Sequence, residues 1–131
     1  MVTLPRPSAR TRWLLAVGVT AAVVGASLVP GRFLPPESAA GGADKLAHAL
    51  GSAAVAATVA LALDDADRSP AVTLGAALVV AVAVGGGVEL IQPLVGRDRS
   101  LADFGFDALG AVLAVVAYRL GHRWVRLAPR T

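Results

Sequence analysis

The chain contains no cysteine, which excludes disulfides, thiolate metal sites and cysteine nucleophiles. Aromatic residues make up only 5% of its 131 positions and charged residues only 16%. A small soluble domain must find polar surface for most of its residues, and so few charges cannot supply it. Acidic excess is missing too: the isoelectric point is near 10.6. That value would suit a nucleic-acid partner, but the arginines gather at the two ends of the chain instead of along one face. This is the distribution of a membrane protein's orienting charges, and no nucleic acid is expected.

What is present is 56% hydrophobic residue, with a mean hydropathy of +0.67. It is concentrated in four runs, 13–29, 46–63, 70–92 and 101–120. A membrane-spanning helix needs roughly 20 mostly apolar residues to cross a ~30 Å hydrocarbon core. All four runs approach that length, and none alternates with the period of two that a barrel strand requires. Pro30, Pro35 and Pro36 break the chain after the first run and Pro93 after the third. The expected fold is an all-α membrane protein, a compact bundle of four transmembrane helices spanning residues 13–120, between a basic N-terminus (1–12) and a basic C-terminal tail (121–131). The first run could instead be a signal peptide. Its apolar core exceeds the usual ~7–15 residues and no clear small-x-small cleavage site precedes Pro30, so it is read as retained.

Lys and Arg counts set the orientation. With both ends cytoplasmic, eight basic residues lie inside (Arg6, Arg10, Arg12, Arg68, Arg119, Arg123, Arg126, Arg130) and four outside (Arg32, Lys45, Arg97, Arg99). The expected topology is therefore N-in and C-in, in a bacterial or archaeal plasma membrane. Asp64, Asp65 and Asp67 then form an inner loop, read as a solvated turn because no metal-ligand pattern completes it.

With this topology the polar groups inside the apolar runs gather at one depth, near the outer surface. Asp44 and His48 are four residues apart, as are Asp103 and Asp107, and Glu89 and Gln92 are three apart, so each pair shares a helix face. Arg97 and Arg99 lie in the short loop between the third and fourth helices. Small residues continue both faces inward, through Gly110 and Ala114 on helix 4 and through Gly85 and Ala81 on helix 3, and such residues let membrane helices pack closely. Glu89 and Asp107 are too short to reach headgroups from a turn inside the apolar boundary, which points to paired, functional positions. Proximity across the Pro93 turn gives Arg97 as the expected partner of Glu89.

The order and spacing of these residues resemble VanZ-like membrane proteins: "DKLAH" (Asp44 to His48), "ELIQ" (Glu89 to Gln92), then Arg97, Asp103 and Gly110. The resemblance covers residues 44–120. It departs at Asp107, where the family usually has Asn, and in a gap before the arginine that is one residue short; either Arg97 or Arg99 could fill that role, and the six-residue spacing to Asp103 favours Arg97. The resemblance implies a link to teicoplanin resistance, and hence a site facing the cell-wall precursors outside the membrane.

The leading functional expectation is a small membrane protein whose outer pocket, lined by Asp44, Lys45, His48, Glu89, Gln92, Arg97, Asp103 and Asp107, binds an anionic membrane lipid or lipid-linked cell-wall precursor. Arg97, Lys45 and His48 would take phosphate or carboxylate. One alternative is an enzyme on a lipid-linked substrate, with His48 or Glu89 as general acid or base, although Ser52 and Ser100 are the only hydroxyls nearby. Another is a structural module whose polar network only fixes helix register. No cofactor is expected, and Lys45 and Arg97 argue against a metal among the acids and His48.

Overall fold

The computed structural model describes residues 2–35, 41–65, 67–122 and 124–127, with 126 and 127 described by their backbone alone. Pro36 and the tail positions Arg123 and Arg130 lie outside the described residues. Four long helices make up the fold: α1 (Ala9–Ser27), α2 (Gly42–Leu63), α3 (Pro70–Ile91) and α4 (Leu101–Gly121). Short 3-10 turns at Gly31–Phe33 and Gln92–Val95 join α1 to the following loop and α3 to α4. Two three-residue strands, β1 (Val2–Leu4) and β2 (Val125–Leu127), pair in parallel with Val2 opposite Val125. Both chain ends are thereby tied together at one end of the bundle.

The helix starts follow side-chain caps. Ser8, Ser69 and Ser100 each accept a hydrogen bond from a backbone N–H in the first turn of α1, α3 and α4, satisfying a donor that the helix leaves open. Pro70 adds the favourable first-turn proline of α3. Expected and observed boundaries agree closely for α3 and α4. α1 begins four residues before the apolar run because Ser8 caps it, so its first turns carry Arg10 and Arg12. α2 begins at Gly42, which brings Asp44 and Lys45 onto the helix.

The core is built from small residues: Ala16 of α1, Val55, Ala56, Val59 and Ala60 of α2, Ala77 and Ala81 of α3, and Ala111 of α4. α2 is the central helix and meets α4 most closely. A Cβ on Gly110 would stand 2.0 Å from the carbonyl oxygen of Ala49, so only glycine permits this approach. The large apolar side chains face outward instead, among them Leu14 and Val17, Leu46 and Leu50, Val79 and Leu90, Leu113 and Leu120. The stripe Leu109, Val112, Leu113, Val116, Leu120 lies on the outer face of α4 as its periodicity requires. An outward apolar surface of this extent suits lipid and not water. α2, the stretch Pro70–Val95 and α4 are each long and apolar enough to cross a membrane. α1, with two arginines in its first turns, is not among them.

At the end of the bundle where α2 finishes, Arg12 is buried and donates to the carbonyls of Leu61 (2.9 Å) and Asp64 (2.6 Å). Arg6 donates to the same Asp64 carbonyl and lies 3.8 Å from its carboxylate, which His122 also approaches to 3.8 Å. Two arginines from the start of the chain thus cap the C-terminus of α2. Asp64 is therefore half-buried and partnered, which corrects the expectation of a wholly solvated acidic turn.

Candidate functional site

The opposite end of the bundle, where α1 and α3 finish and α2 and α4 start, holds the polar residues singled out in the sequence. α2 supplies Asp44, Lys45 and His48, the end of α3 supplies Glu89 with Gln92 just beyond, and α4 supplies Asp103 and Asp107. His48, Glu89, Gln92, Asp103 and Asp107 are all buried; Asp44, Lys45 and Arg97 are half-buried.

His48 is the hub. Its Nδ1 lies 3.2 and 3.3 Å from the two oxygens of Asp107, the contact of an imidazole N–H donating to a carboxylate. Its Nε2 lies 3.9 Å from Oδ2 of Asp103, beyond hydrogen-bond reach. Gly85 of α3 makes room for this pair, since a Cβ there would stand 2.7 Å from Oδ2 of Asp107.

Glu89 and Arg97 do not pair. Glu89 Oε2 accepts from the backbone N–H of Ser100 at 2.8 Å, at the N-terminus of α4, where a carboxylate is favoured by the helix dipole. Arg97 follows Gly96, whose φ of 72° turns the chain in the left-handed region. The guanidinium is carried the other way, donating to the carbonyl of Ser27 at 2.7 Å and to Asp44 at 3.3 Å. Gln92 donates to the same Ser27 carbonyl at 3.3 Å. The last carbonyl of α1 is therefore held by two side chains that sequence reasoning gave to the pocket. Neither Ser27 nor the Ser100 amide was among the expected site groups. The S-L-A-D run at Ser100 carried the only signal, as a helix-start pattern. Arg99 is exposed and makes none of these contacts.

Two cavities meet at the Asp44–Arg97 ion pair. One, of about 170 Å³, runs between α1, α2 and α3, with walls that include Val23, Gly51, Val55, Ala81 and Val84 and with His48 and Asp107 at its polar end. The other, of about 200 Å³, is a polar bowl on the loop side, lined by Lys45, Asp98, Ser100 and Asp103 among others. Asp44 and Arg97 line both.

Among the described residues, several buried polar atoms at this end have no hydrogen-bond partner: Glu89 Oε1, Asp103 Oδ1, Gln92 Oε1 and Ser52 Oγ. Among the described residues, Asp44 and Asp103 share the bowl with Lys45 and Arg97, and Glu89 lines a neighbouring pocket with Arg99. Arrangements of this kind can bind a cation, receive a donor-bearing ligand, or use His48 as an acid or base. No protein-family model, curated protein or solved structure matches the chain. The resemblance to VanZ-like proteins accordingly stands on the polar pattern alone.

Proposed function

We propose that this chain is a small multi-pass protein of a bacterial or archaeal plasma membrane that binds an anionic lipid or lipid-linked envelope precursor. The lipid's apolar part occupies the slot between α1, α2 and α3, and its headgroup lies at the Asp44–Arg97 mouth. The observation that carries this reading is the shape of the cavity: apolar walls along the bundle and a charged end shared with the polar bowl. A purely structural network would need neither the slot nor the bowl.

In this proposal α1 is the fourth span and both ends are cytoplasmic. The eight-to-four Lys/Arg asymmetry supports it. So does the pairing of β1 with β2, because ends held together require an even number of crossings. The site then faces outward, as the resemblance to VanZ-like proteins and their link to teicoplanin implies. Cysteine labelling is clean because the native chain has none. A cysteine at Asp98 reacts with an impermeant reagent on intact cells and one at Asp67 does not; the reverse result inverts the topology.

Lipid extracted from the purified protein and identified by mass spectrometry tests the function. Wild type is expected to retain an anionic lipid that Arg97→Gln loses. Identical lipid content in both would favour a network that only fixes helix register. A second reading, an enzyme on a lipid-linked substrate, is favoured by one contact, the His48–Asp107 pair that would orient a general acid or base. Glu89, committed to the Ser100 amide, suits that role less well.

A further inference from the structure

We infer that His48 Nε2, Asp103 and Asp44 form a site for a divalent first-row metal ion, Zn²⁺ or Mn²⁺, with Asp107 orienting the imidazole from behind. The inference goes beyond the lipid reading and does not depend on it.

The geometry of His48 is the starting point. One nitrogen is engaged by Asp107 and the other faces Asp103 across 3.9 Å, a separation too long for a hydrogen bond. It suits two donors of a single ion: ligands held at ~2.0–2.2 Å lie roughly 3–4 Å from one another. Asp44 completes the set, and one donor atom from each of Asp44, His48 and Asp103 lies within 4.8 Å of the others. Metal-bound histidines characteristically donate their remaining N–H to a carboxylate, which fixes tautomer and ring orientation; Asp107 stands where that partner belongs.

The second observation is independent of the cluster itself. Asp103 is 7% exposed and its Oδ1 has no partner among the described residues. A buried carboxylate oxygen left in this state is expensive, and a cation beside it removes the expense. Nor does Arg97 do so: it is turned to Ser27 and Asp44, with no hydrogen bond to Asp103. Arg97 does hold Oδ1 of Asp44 at 3.3 Å, so an ion here would share that carboxylate with the guanidinium.

A mixed imidazole and carboxylate set suits Zn²⁺ and Mn²⁺ better than softer or harder ions. Asp44 and Asp103 also line the polar bowl, so an ion here has open positions on the loop side. It would let an acidic pocket accept a phosphate, the difficulty that four carboxylates pose for an anionic ligand.

A second group of donors, His48, Glu89 and Asp107, shares the histidine. There the imidazole nitrogen is already hydrogen-bonded to Asp107, so the Nε2 side is the better site.

The test uses the full chain in detergent, stripped with a chelator and titrated with Mn²⁺ or Zn²⁺ alone. One saturable equivalent per chain is expected, with ¹⁴N modulation from the imidazole in the electron-spin-echo spectrum of bound Mn²⁺. His48→Gln, Asp103→Asn and the less buried Asp44→Asn each weaken binding at least tenfold while retaining wild-type helical circular dichroism; Asp107→Asn weakens it roughly 10–100-fold, as loss of an orienting partner does. Should the buried variants misfold, Asp44→Asn and the nitrogen signal decide the matter. No binding by wild type, unchanged affinity in Asp44→Asn, or loss confined to Glu89→Gln would overturn the assignment.

Discussion

At the Asp64 end of the bundle, Arg12 is 2% exposed and spends its guanidinium on two carbonyls at the close of α2. At the Asp44 end, Glu89 is 4% exposed and one of its oxygens has no partner among the described residues. In the first case buried charge is cationic, donates to backbone, and fastens α1 to α2. In the second it is anionic, in excess, and partly unanswered. What is left over among the described residues also differs: the Nε–H groups of Arg6 and Arg12 and the Tyr118 hydroxyl at one end, and the oxygens of Glu89, Asp103, Gln92 and Ser52 at the other. Buried polar groups that are satisfied by the fold serve the fold. Under the proposed function, the acceptors left open around a histidine and two cavities are kept for a ligand.

The largest effect that would break this comparison comes from Gly110, between the two ends. Gly110→Val drives a side chain into the Ala49 carbonyl and must separate α2 from α4, costing about 3 kcal/mol, the upper part of the usual overpacking range. Thermal unfolding in detergent measures it. Gly85→Ala acts more locally. Its methyl meets the Asp107 carboxylate, so the His48–Asp107 contact shifts. Stability is expected to fall by about 1 kcal/mol, while Mn²⁺ affinity drops about tenfold through the disturbed orienting partner. Gly105→Ala has open space around it and removes a helical glycine, which raises stability by roughly 0.5–1 kcal/mol. A destabilised Gly105→Ala would show that α4 packs on something there, such as a second copy of the chain.

The helices were legible because each is an apolar run, and α1, α3 and α4 are also marked by a serine cap or a proline, signals that act within a few residues. The depth of the polar groups was legible for the same reason: Asp44 with His48, and Asp103 with Asp107, are local spacings on one helix. Their partners were not. His48 and Asp107 are 59 residues apart, and nothing local ties them. Arg97 was assigned to Glu89 by proximity in sequence, but its direction depends on the left-handed turn at Gly96 and on a backbone carbonyl of α1, which carries no residue-type signal. Arg12 read as an orienting charge because it stands just before an apolar run; that it caps α2 depends on how α1 packs. The β1–β2 pair joins the two ends of the chain, and three residues are too few to announce a strand.

One measurement bears most directly on the contrast between the two ends. Arg12→Met and Asp103→Asn are unfolded thermally side by side, in the same detergent and with chelator present. Removing Arg12 takes the guanidinium from the Leu61 carbonyl and leaves the Asp64 carbonyl to Arg6 alone, two charge-assisted hydrogen bonds lost. At roughly 1.5–3 kcal/mol for each hydrogen bond to a charged group, the loss should be about 3 kcal/mol or more. Removing the charge of Asp103 relieves a buried carboxylate whose Oδ1 has no hydrogen-bond partner among the described residues, so Asp103→Asn should unfold at the same temperature as wild type or a higher one, while no longer binding Mn²⁺. An Asp103→Asn protein as unstable as Arg12→Met would contradict the account, because the open acceptors at the Asp44 end would then belong to the fold.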